Sequence, residues 1–321
     1  MIVVTGGAGF IGSCLIKALN DQGHEDILVV DAFDRIEKIR NLGDKKVRGL
    51  KHRDDFLKWL KLLGQDVQII YHLGARTDTT EKSQQIFDQL NLEYSKSIWE
   101  AAARHRIPLI YASSAATYGD GAFGYRDDHS LVPKFNPLNP YGHSKNDFDL
   151  WVLQQKDAPP QWYGLKFFNV YGPNEYHKGR MASVVWHTFN QIKETGGMKL
   201  FRSHREDVAD GEQSRDFIYI RDLLKLIFFF RDESCASGLY NCGTGKARSF
   251  HDLAAAVFSA QEMSPKISFI DTPADIRGTY QYFTEADMTK VREAGFGDSF
   301  YSLEQGIADY VKSFLKNEMY L

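Results

Sequence analysis

The chain opens on four β-branched residues, Ile2-Val3-Val4-Thr5, and passes at once into Gly6-Gly7-Ala8-Gly9-Phe10-Ile11-Gly12. Apolar residues at helical spacing follow, Leu15, Ile16 and Leu19, closing near Gly23. A strand that turns through glycines into a helix fits few architectures. The glycines permit a tight turn and close backbone approach, and the helix N-terminus offers free N–H groups and a positive dipole end to a pyrophosphate. The stretch contains both Gly7-x-Gly9-x-x-Gly12 and Gly6-x-x-Gly9-x-x-Gly12, in the strand-to-helix setting that gives such spacing its meaning. It predicts an α/β fold built on a doubly wound parallel sheet.

Further strands follow in the order such a sheet requires. Ile27–Val30 is apolar and ends in Asp31, about 20 residues past the glycines, where an acidic group binds an adenine ribose. Asp31 alone points to NAD, whereas Arg35, Lys38, Arg40 and Arg53 cluster beyond it and could receive a 2′-phosphate. Val67–His72 reads as a third strand, running into Leu73-Gly74-Ala75 and the polar Arg76-Thr77-Asp78-Thr79-Thr80. Asn91 is expected to begin a helix through Trp99 and Ala103. Pro108–Ala112 and Trp162–Phe168 are buried-type strands, the first leading to Ser113-Ser114-Ala115-Ala116-Thr117-Tyr118-Gly119 and the second to Asn169-Val170-Tyr171-Gly172-Pro173. Small and polar turns at the carboxyl ends of strands lie at the crevice where open α/β sheets bind ligands.

Between these comes Asn139-Pro140-Tyr141-Gly142-His143-Ser144-Lys145. On the first turn of a helix, Tyr141 and Lys145 stand at i and i+4, on one face. An ammonium there favours phenolate and draws the tyrosine toward a range where it exchanges protons with a substrate hydroxyl. The spacing also describes a solvated helix face; what singles it out is its company with the glycine turn and the hydroxyls at 113–119.

A chain of 321 residues suits one large domain with a smaller lobe. Residues 1–168, with 216–240 returning to them, are expected to form the cofactor domain, and 169–215 with 241–321 an interleaved substrate lobe. A net charge of -3 gives no footprint for nucleic acid or an anionic membrane. The three cysteines, Cys14, Cys235 and Cys242, lack metal-ligand spacing and read as packed, reduced thiols, which implies a cytoplasmic setting and no metal site. The most apolar run, Leu223–Phe230, contains Lys225 and is too short to span a bilayer.

Together these residues resemble the extended short-chain dehydrogenase/reductase family of nucleotide-sugar epimerases and dehydratases, a Rossmann-type fold. The resemblance rests on Gly6-x-x-Gly9-x-x-Gly12, Asp31, Leu73-Gly74-Ala75, Asn91, Ser113-Ser114, Tyr141-x-x-x-Lys145, Asn169 to Pro173 and Arg215-Asp216-Phe217. It implies that Tyr141 is the acid/base, that Lys145 lowers its pKa and holds the nicotinamide ribose, and that Ser114 bonds the reacting oxygen. Dehydratases of the family carry Asp-Glu after the hydroxyl residue. Ala115 and Ala116 stand there, which leaves epimerisation or reduction.

Within the family the likeness is to epimerases of an ADP-linked heptose, through residues 111–119, His177-Lys178-Gly179, Met181-Ala182-Ser183, His187 and Gly278-x-Tyr280-Gln281. It implies Lys178 as a second base and NADP as cofactor, held by Gly6, Gly9, Phe10, Ile11, Gly12, Asp31, Ala32, Lys38, Arg53, Leu73, Gly74, Ala75, Arg76, Thr77, Asn91, Tyr141, Lys145, Val170 and Lys178. It implies Ser114, Asn169, Arg180, His187, Phe201, Arg202, Ser203, His204, Arg215 and Tyr280 at the ADP-heptose, Arg215 on its diphosphate. Arg180 replaces a small hydroxyl residue, and the loop 202–214 is longer than is usual in the family. A homo-oligomer is also implied, with Trp186 and Tyr310 as candidate exposed aromatics. The alternatives in the same fold are a UDP-hexose 4-epimerase and a sugar reductase; a cofactor-loaded binding protein is the alternative of another class.

Overall fold

Strand β1 (Ile2–Thr5) is entirely buried and lies in the interior of a seven-stranded parallel sheet. It pairs on one side with β2 (Ile27–Asp31), which carries the edge strand β3 (Gly49–His52). On the other side come β4 (Ile69–His72), β5 (Leu109–Ser114) and β6 (Trp162–Phe167), with β10 (Gly238–Cys242) at the far edge. The computed structural model describes residues 1–78, 81, 83–233, 235–273, 277 and 280–321.

The continuous burial of β1, β2 and β10 is what helices on both faces of a parallel sheet produce, and it explains the apolar runs Ile2–Val4 and Ile27–Val30. The chain leaves β1 toward β2 and β3, then crosses back to β4. The carboxyl ends of β1 and β4 therefore flank the point where strand order reverses, and a crevice opens there.

Strand β3 is absent from the sequence-based expectation. Its Gly-Leu-Lys-His has no β-branched residue and alternates in burial; pairing with β2, from Leu28 with Gly49 to Asp31 with His52, makes it a strand. Asn91 departs from expectation in the opposite sense. The helix begins at Gln84, and Asn91 lies inside it, in the π-helical stretch Asp88–Glu93 that leads into Tyr94–His105.

Two smaller sheets complete the protein. Strand β9 (Ser214–Tyr219) pairs in parallel with β7 (Asn169–Tyr171) and antiparallel with β11 (Ala247–Ser249). Strand β8 (Met198–Phe201) pairs in parallel with β12 (Ile267–Ile270). Helix Val184–Thr195 ends at Gly196 in the left-handed conformation, as the Gly196-Gly197 pair suggests.

Tyr310 is core, not surface: it is fully buried and donates to Glu175 at 3.0 Å, and Trp186 packs partly buried against the same core. Cys14 and Cys242 are buried, Cys235 is half-buried, and all three are free thiols; burial pushes Cys14 up to about 12. Among the described residues no helix is long and apolar enough to cross a membrane.

Candidate active site

The glycine turn is shaped by contacts that leave no room for side chains. Gly6 takes a positive φ of 68°, and a Cβ on it would lie 2.6 Å from Gly74 Cα. A Cβ on Gly12 would overlap the Gly6 carbonyl oxygen. Gly9 precedes helix Phe10–Asp21 without a side-chain cap, and no acidic residue occupies the first turn, so the N–H groups and dipole of that end are available to an anion. The Leu73-Gly74-Ala75 turn is tied to the same point, because Leu73 N–H donates to the Thr5 carbonyl at 3.2 Å and Gly74 N–H to Thr5 Oγ1 at 3.2 Å. Thr5 Oγ1, accepting from Gly74, has its proton free for His72 Nδ1 at 2.7 Å. The ring then carries its proton on Nε2, facing Ser95 Oγ at 2.8 Å. Burial holds His72 down to about 3, so it stays neutral.

At the end of β2, Asp31 accepts from Ala8 N–H at 3.1 Å and from Ala32 N–H at 2.8 Å. It also forms an ion pair with Lys38, which neutralises the carboxylate at the mouth of the crevice. Arg53 opens helix Arg53–Leu63 with its Nε 3.4 Å from Asp54. Arg35 donates to the His177 carbonyl at 2.8 Å, linking this region to the loop after β7.

Helix Pro140–Leu153 begins as its sequence requires: Asn139 caps it by accepting from Gly142 N–H at 2.8 Å, and Pro140 fills the first turn. Tyr141 and Lys145 therefore do share a face. Burial raises the pKa of the Tyr141 phenol, and Ser114 at the end of β5 opposes that rise. Burial acts more strongly, and the phenol stands above its usual range. The Lys145 ammonium donates to the Ala112 carbonyl at 2.7 Å, and burial lowers it to about 8.

Asn91, although not a helix start, connects the two halves of the crevice. It accepts from Arg76 N–H at 2.7 Å and donates to the Arg76 carbonyl at 3.0 Å and to Ser144 Oγ at 3.0 Å. Ser144 in turn donates to the Tyr141 carbonyl at 2.8 Å. The side-chain amide thus fixes the Ala75–Thr77 turn against the Tyr141 helix, and the local π turn sets its position. Arg76 also pairs with Asp78 at 3.2 Å.

On the opposite side, Lys178 lies in the short turn Tyr176–Met181 with its ammonium 5.5 Å from the ring centroid of Phe10, the first residue of the glycine-turn helix. Burial lowers its pKa, opposed by the Glu175 carboxylate. Val170 in β7 packs against the core, and Asn169 beside it is exposed. Arg180 is exposed, and its carbonyl lies 3.3 Å from His187 Nε2.

Phe201 meets Tyr280 edge to face at 6.3 Å. The following backbone is pinned by Arg202 N–H to Ile270, Ser203 N–H to Asp210 and His204 N–H to the Tyr282 hydroxyl. Arg215 is buried between the rings of Phe250 and Tyr280, each 5.5 Å away, and donates to the carbonyls of Ser214 and Gln281. It makes no ion pair among the described residues. Gly278, Thr79 and Thr80 lie outside those residues.

Residues the sequence reading passed over complete the frame: Thr5, His72, Ser144, and Glu175, which is buried and accepts from Ser183 Oγ at 2.7 Å and from Tyr310. Thr5 and His72 are signalled by a polar side chain at the end of an apolar strand, whereas Ser144 and Glu175 stand in polar stretches that do not set them apart.

With this geometry in view, the relatives of the chain agree. ADP-L-glycero-D-manno-heptose-6-epimerase of Fusobacterium nucleatum is 46% identical over 99% of both chains. The protein of that name from Nitratidesulfovibrio vulgaris is 45% identical over 98% of both. The crystal structure of the Helicobacter pylori ADP-L-glycero-D-manno-heptose-6-epimerase superposes with a TM-score of 0.81 at 28% identity, covering 97% of this chain and 95% of that one. A UDP-glucose 4-epimerase from Thermotoga maritima shares the fold, with a TM-score of 0.81 at 21% identity over 99% of both chains. The model of the NAD dependent epimerase/dehydratase family matches residues 2–243, and the chain belongs to that family.

Proposed function

We infer that the protein is an epimerase that inverts C6″ of ADP-D-glycero-D-manno-heptose to give ADP-L-glycero-D-manno-heptose. The observation that carries this reading is Tyr141 and Lys145 on one face of the helix that Asn139 caps, with Ser114 beside the phenol at the carboxyl end of β5, in a chain whose full-length relatives carry that activity's name. The crevice fits a nicotinamide dinucleotide: Gly6, Gly12 and Gly74 leave a cradle that a Cβ would fill, beside an uncapped helix N-terminus.

The dinucleotide, when bound, takes up and returns the hydride. The chain's residues manage the proton and the carbonyl. Tyr141 removes the proton of the C6″ hydroxyl as the carbon is oxidised, and Ser114 donates a hydrogen bond to the oxygen. Lys145 holds the ribose and keeps positive charge near the phenolate. Inversion requires the ketone to turn, so that its other face would be the one reduced. The oxygen now points elsewhere, out of reach of a fixed phenol at about 2.6–3.2 Å. Lys178, entering from the other side of the glycine turn, serves that second position. Ala115 and Ala116 supply no acid–base pair for elimination.

The cofactor is NADP. Lys38 already neutralises Asp31, and with Arg53 it offers the 2′-phosphate two cations. Arg215 takes the diphosphate, and Asn169, Arg180, His187, Phe201 to His204 and Tyr280 surround the sugar nucleotide. The protein acts in the cytoplasm as a homo-oligomer.

The test is turnover of ADP-D-glycero-D-manno-heptose by purified protein without added oxidant, followed by resolution of the two epimers. Failure with that substrate, but conversion of a UDP-hexose, replaces the substrate and keeps the chemistry. Release of NAD in place of NADP on denaturation overturns the cofactor assignment alone.

A further inference from the structure

Behind Ser114, Tyr141 and Lys145 lies a charged cluster that makes no use of solvent. Asp149 stands one turn beyond Lys145 on the same helix face, with no exposed side-chain surface, and pairs with Lys166 of β6 at 2.6 Å, equally buried. The Asp149 carboxylate also accepts from Ser113 Oγ at 2.6 Å and from the Tyr111 hydroxyl at 3.0 Å. Lys166 donates in addition to Thr117 Oγ1 at 2.9 Å, and Thr117 donates to the carbonyl of Ser114 at 2.8 Å. Gly164 makes this possible, since a Cβ there would overlap the Tyr111 phenol.

A buried ion pair is an expensive way to add stability; well-packed apolar residues of similar volume commonly do as well or better. Its placement suggests another purpose. Ser113 and Thr117 bracket Ser114 in the chain, and both are held by this pair. Asp149 belongs to the helix that carries Tyr141 and Lys145. The pair thus clamps the end of β5 to that helix from within the core.

We propose that Asp149 and Lys166 are positioning residues for the epimerisation, holding Ser114 in register with Tyr141 and placing one negative charge behind the phenol and the ammonium. The inference rests on the roles given above to Ser114, Tyr141 and Lys145. The carboxylate raises the proton affinity of Tyr141 and of Lys145, opposing the effect of burial on the lysine. The other titratable groups around it are Tyr111 and Lys166, with Tyr118 and His129 farther off but within its field.

The test compares Asp149→Asn/Lys166→Met with wild type. The double variant removes both charges, keeps both volumes close to native and leaves no unpaired buried ion. Expected are a fall in kcat of at least about tenfold with KM changed less than about threefold. The pH dependence of kcat should move toward acid, since Asp149 is the charge that acts on Tyr141 and Lys145, and the loss of the Lys166 cation with it offsets that only in part. A purely structural role predicts no such displacement.

A folded double variant with wild-type kcat and pH profile overturns the proposal. Should it fail to fold, Ser113→Ala and Tyr111→Phe, which each delete one hydrogen bond to the carboxylate, decide instead. Each should lower kcat several-fold and, by leaving the charge less shielded, move the profile toward alkali; wild-type behaviour of both overturns the proposal. Tyr141→Phe is assayed alongside. If it retains turnover, the underlying assignment of Tyr141 fails; if it is inactive while the Asp149 and Lys166 variant is normal, only the positioning role fails.

Discussion

The ammonium of Lys178 stands over the ring of Phe10, 5.5 Å from its centroid, so a residue 168 positions later in the chain touches the first turn of the glycine-loop helix. The contact fixes how the Tyr176–Met181 turn meets the crevice. Beneath it, buried Glu175 accepts from Ser183 and Tyr310 and holds the turn's start. Lys178 is also desolvated, and burial lowers its pKa, which suits a group that must release a proton.

The first prediction separates a base from an anion ligand. Lys178→Met should lower kcat at least about a hundredfold while KM changes only a few-fold, because a base acts in the transition state alone. A phosphate-binding lysine would show the reverse, a raised KM with modest loss of kcat. Steady-state kinetics with the two epimers as separate substrates measures both. A variant with near wild-type kcat returns all proton transfer to Tyr141.

The second prediction concerns cofactor choice. In the isolated chain Lys38 is engaged with Asp31, so the carboxylate presents little net charge. Lys38→Ala frees that charge and removes a phosphate partner in the same step; Arg53→Ala removes a second. Charge-assisted hydrogen bonds contribute about 1.5–3 kcal/mol each, so the pair should cost NADP at least about tenfold in affinity and leave NAD unchanged or improved. Calorimetric titration of the cofactor-free variants with both dinucleotides reads this directly. Equal losses for NADP and NAD would show that neither cation meets the 2′-phosphate.

How much of this could be seen in the sequence depends on how local its cause is. The β1-to-helix turn was legible because steric demands on Gly6 and Gly12 arise within a few residues of each other. The Tyr141 helix was legible because Asn139 and Pro140 mark its start in the chain. Strand β3 was not, since a Gly-Leu-Lys-His segment becomes a strand only by pairing with β2. Asn91 is not the helix start that the sequence suggests, because a π turn leaves no clear signature in hydrophobic period. Asp149 and Lys166 are 17 residues apart, on a helix and a strand, and nothing in either segment announces the other.

The third prediction follows from Lys145. Its folded-state pKa is about 8, below the ordinary lysine value of 10.5, and burial is the main cause. A depressed pKa means that the unfolded chain binds the proton more tightly. The penalty for burying the ammonium is complete below about pH 8 and disappears as pH rises past 10.5. Relative to Lys145→Met, the wild-type chain free of cofactor should therefore gain on the order of 3 kcal/mol in stability between those limits. Urea denaturation of both proteins at pH 7.5 and pH 10 checks the sign. A constant difference would mean that the ammonium is solvated.

The last prediction turns on Arg215, whose guanidinium is buried between Phe250 and Tyr280 and bonded only to carbonyls among the described residues. Asp216, its neighbour in β9, is no partner: it accepts from Thr244, Gly245 and Ala286. Burial lowers the arginine's pKa, a sign that the fold holds this charge at a cost. An uncompensated buried cation destabilises the free protein and is compensated when an anion arrives. Arg215→Met keeps the hydrophobic contact with both rings and removes the charge. The variant should melt at the same temperature as wild type or a few degrees higher, while KM for the ADP-sugar rises at least about tenfold, as loss of a charge-assisted contact to diphosphate requires. Cofactor affinity should not change. Thermal unfolding and substrate kinetics on one preparation supply both numbers. If the variant melts well below wild type and keeps its KM, Arg215 is a structural residue of β9 and the diphosphate is bound elsewhere.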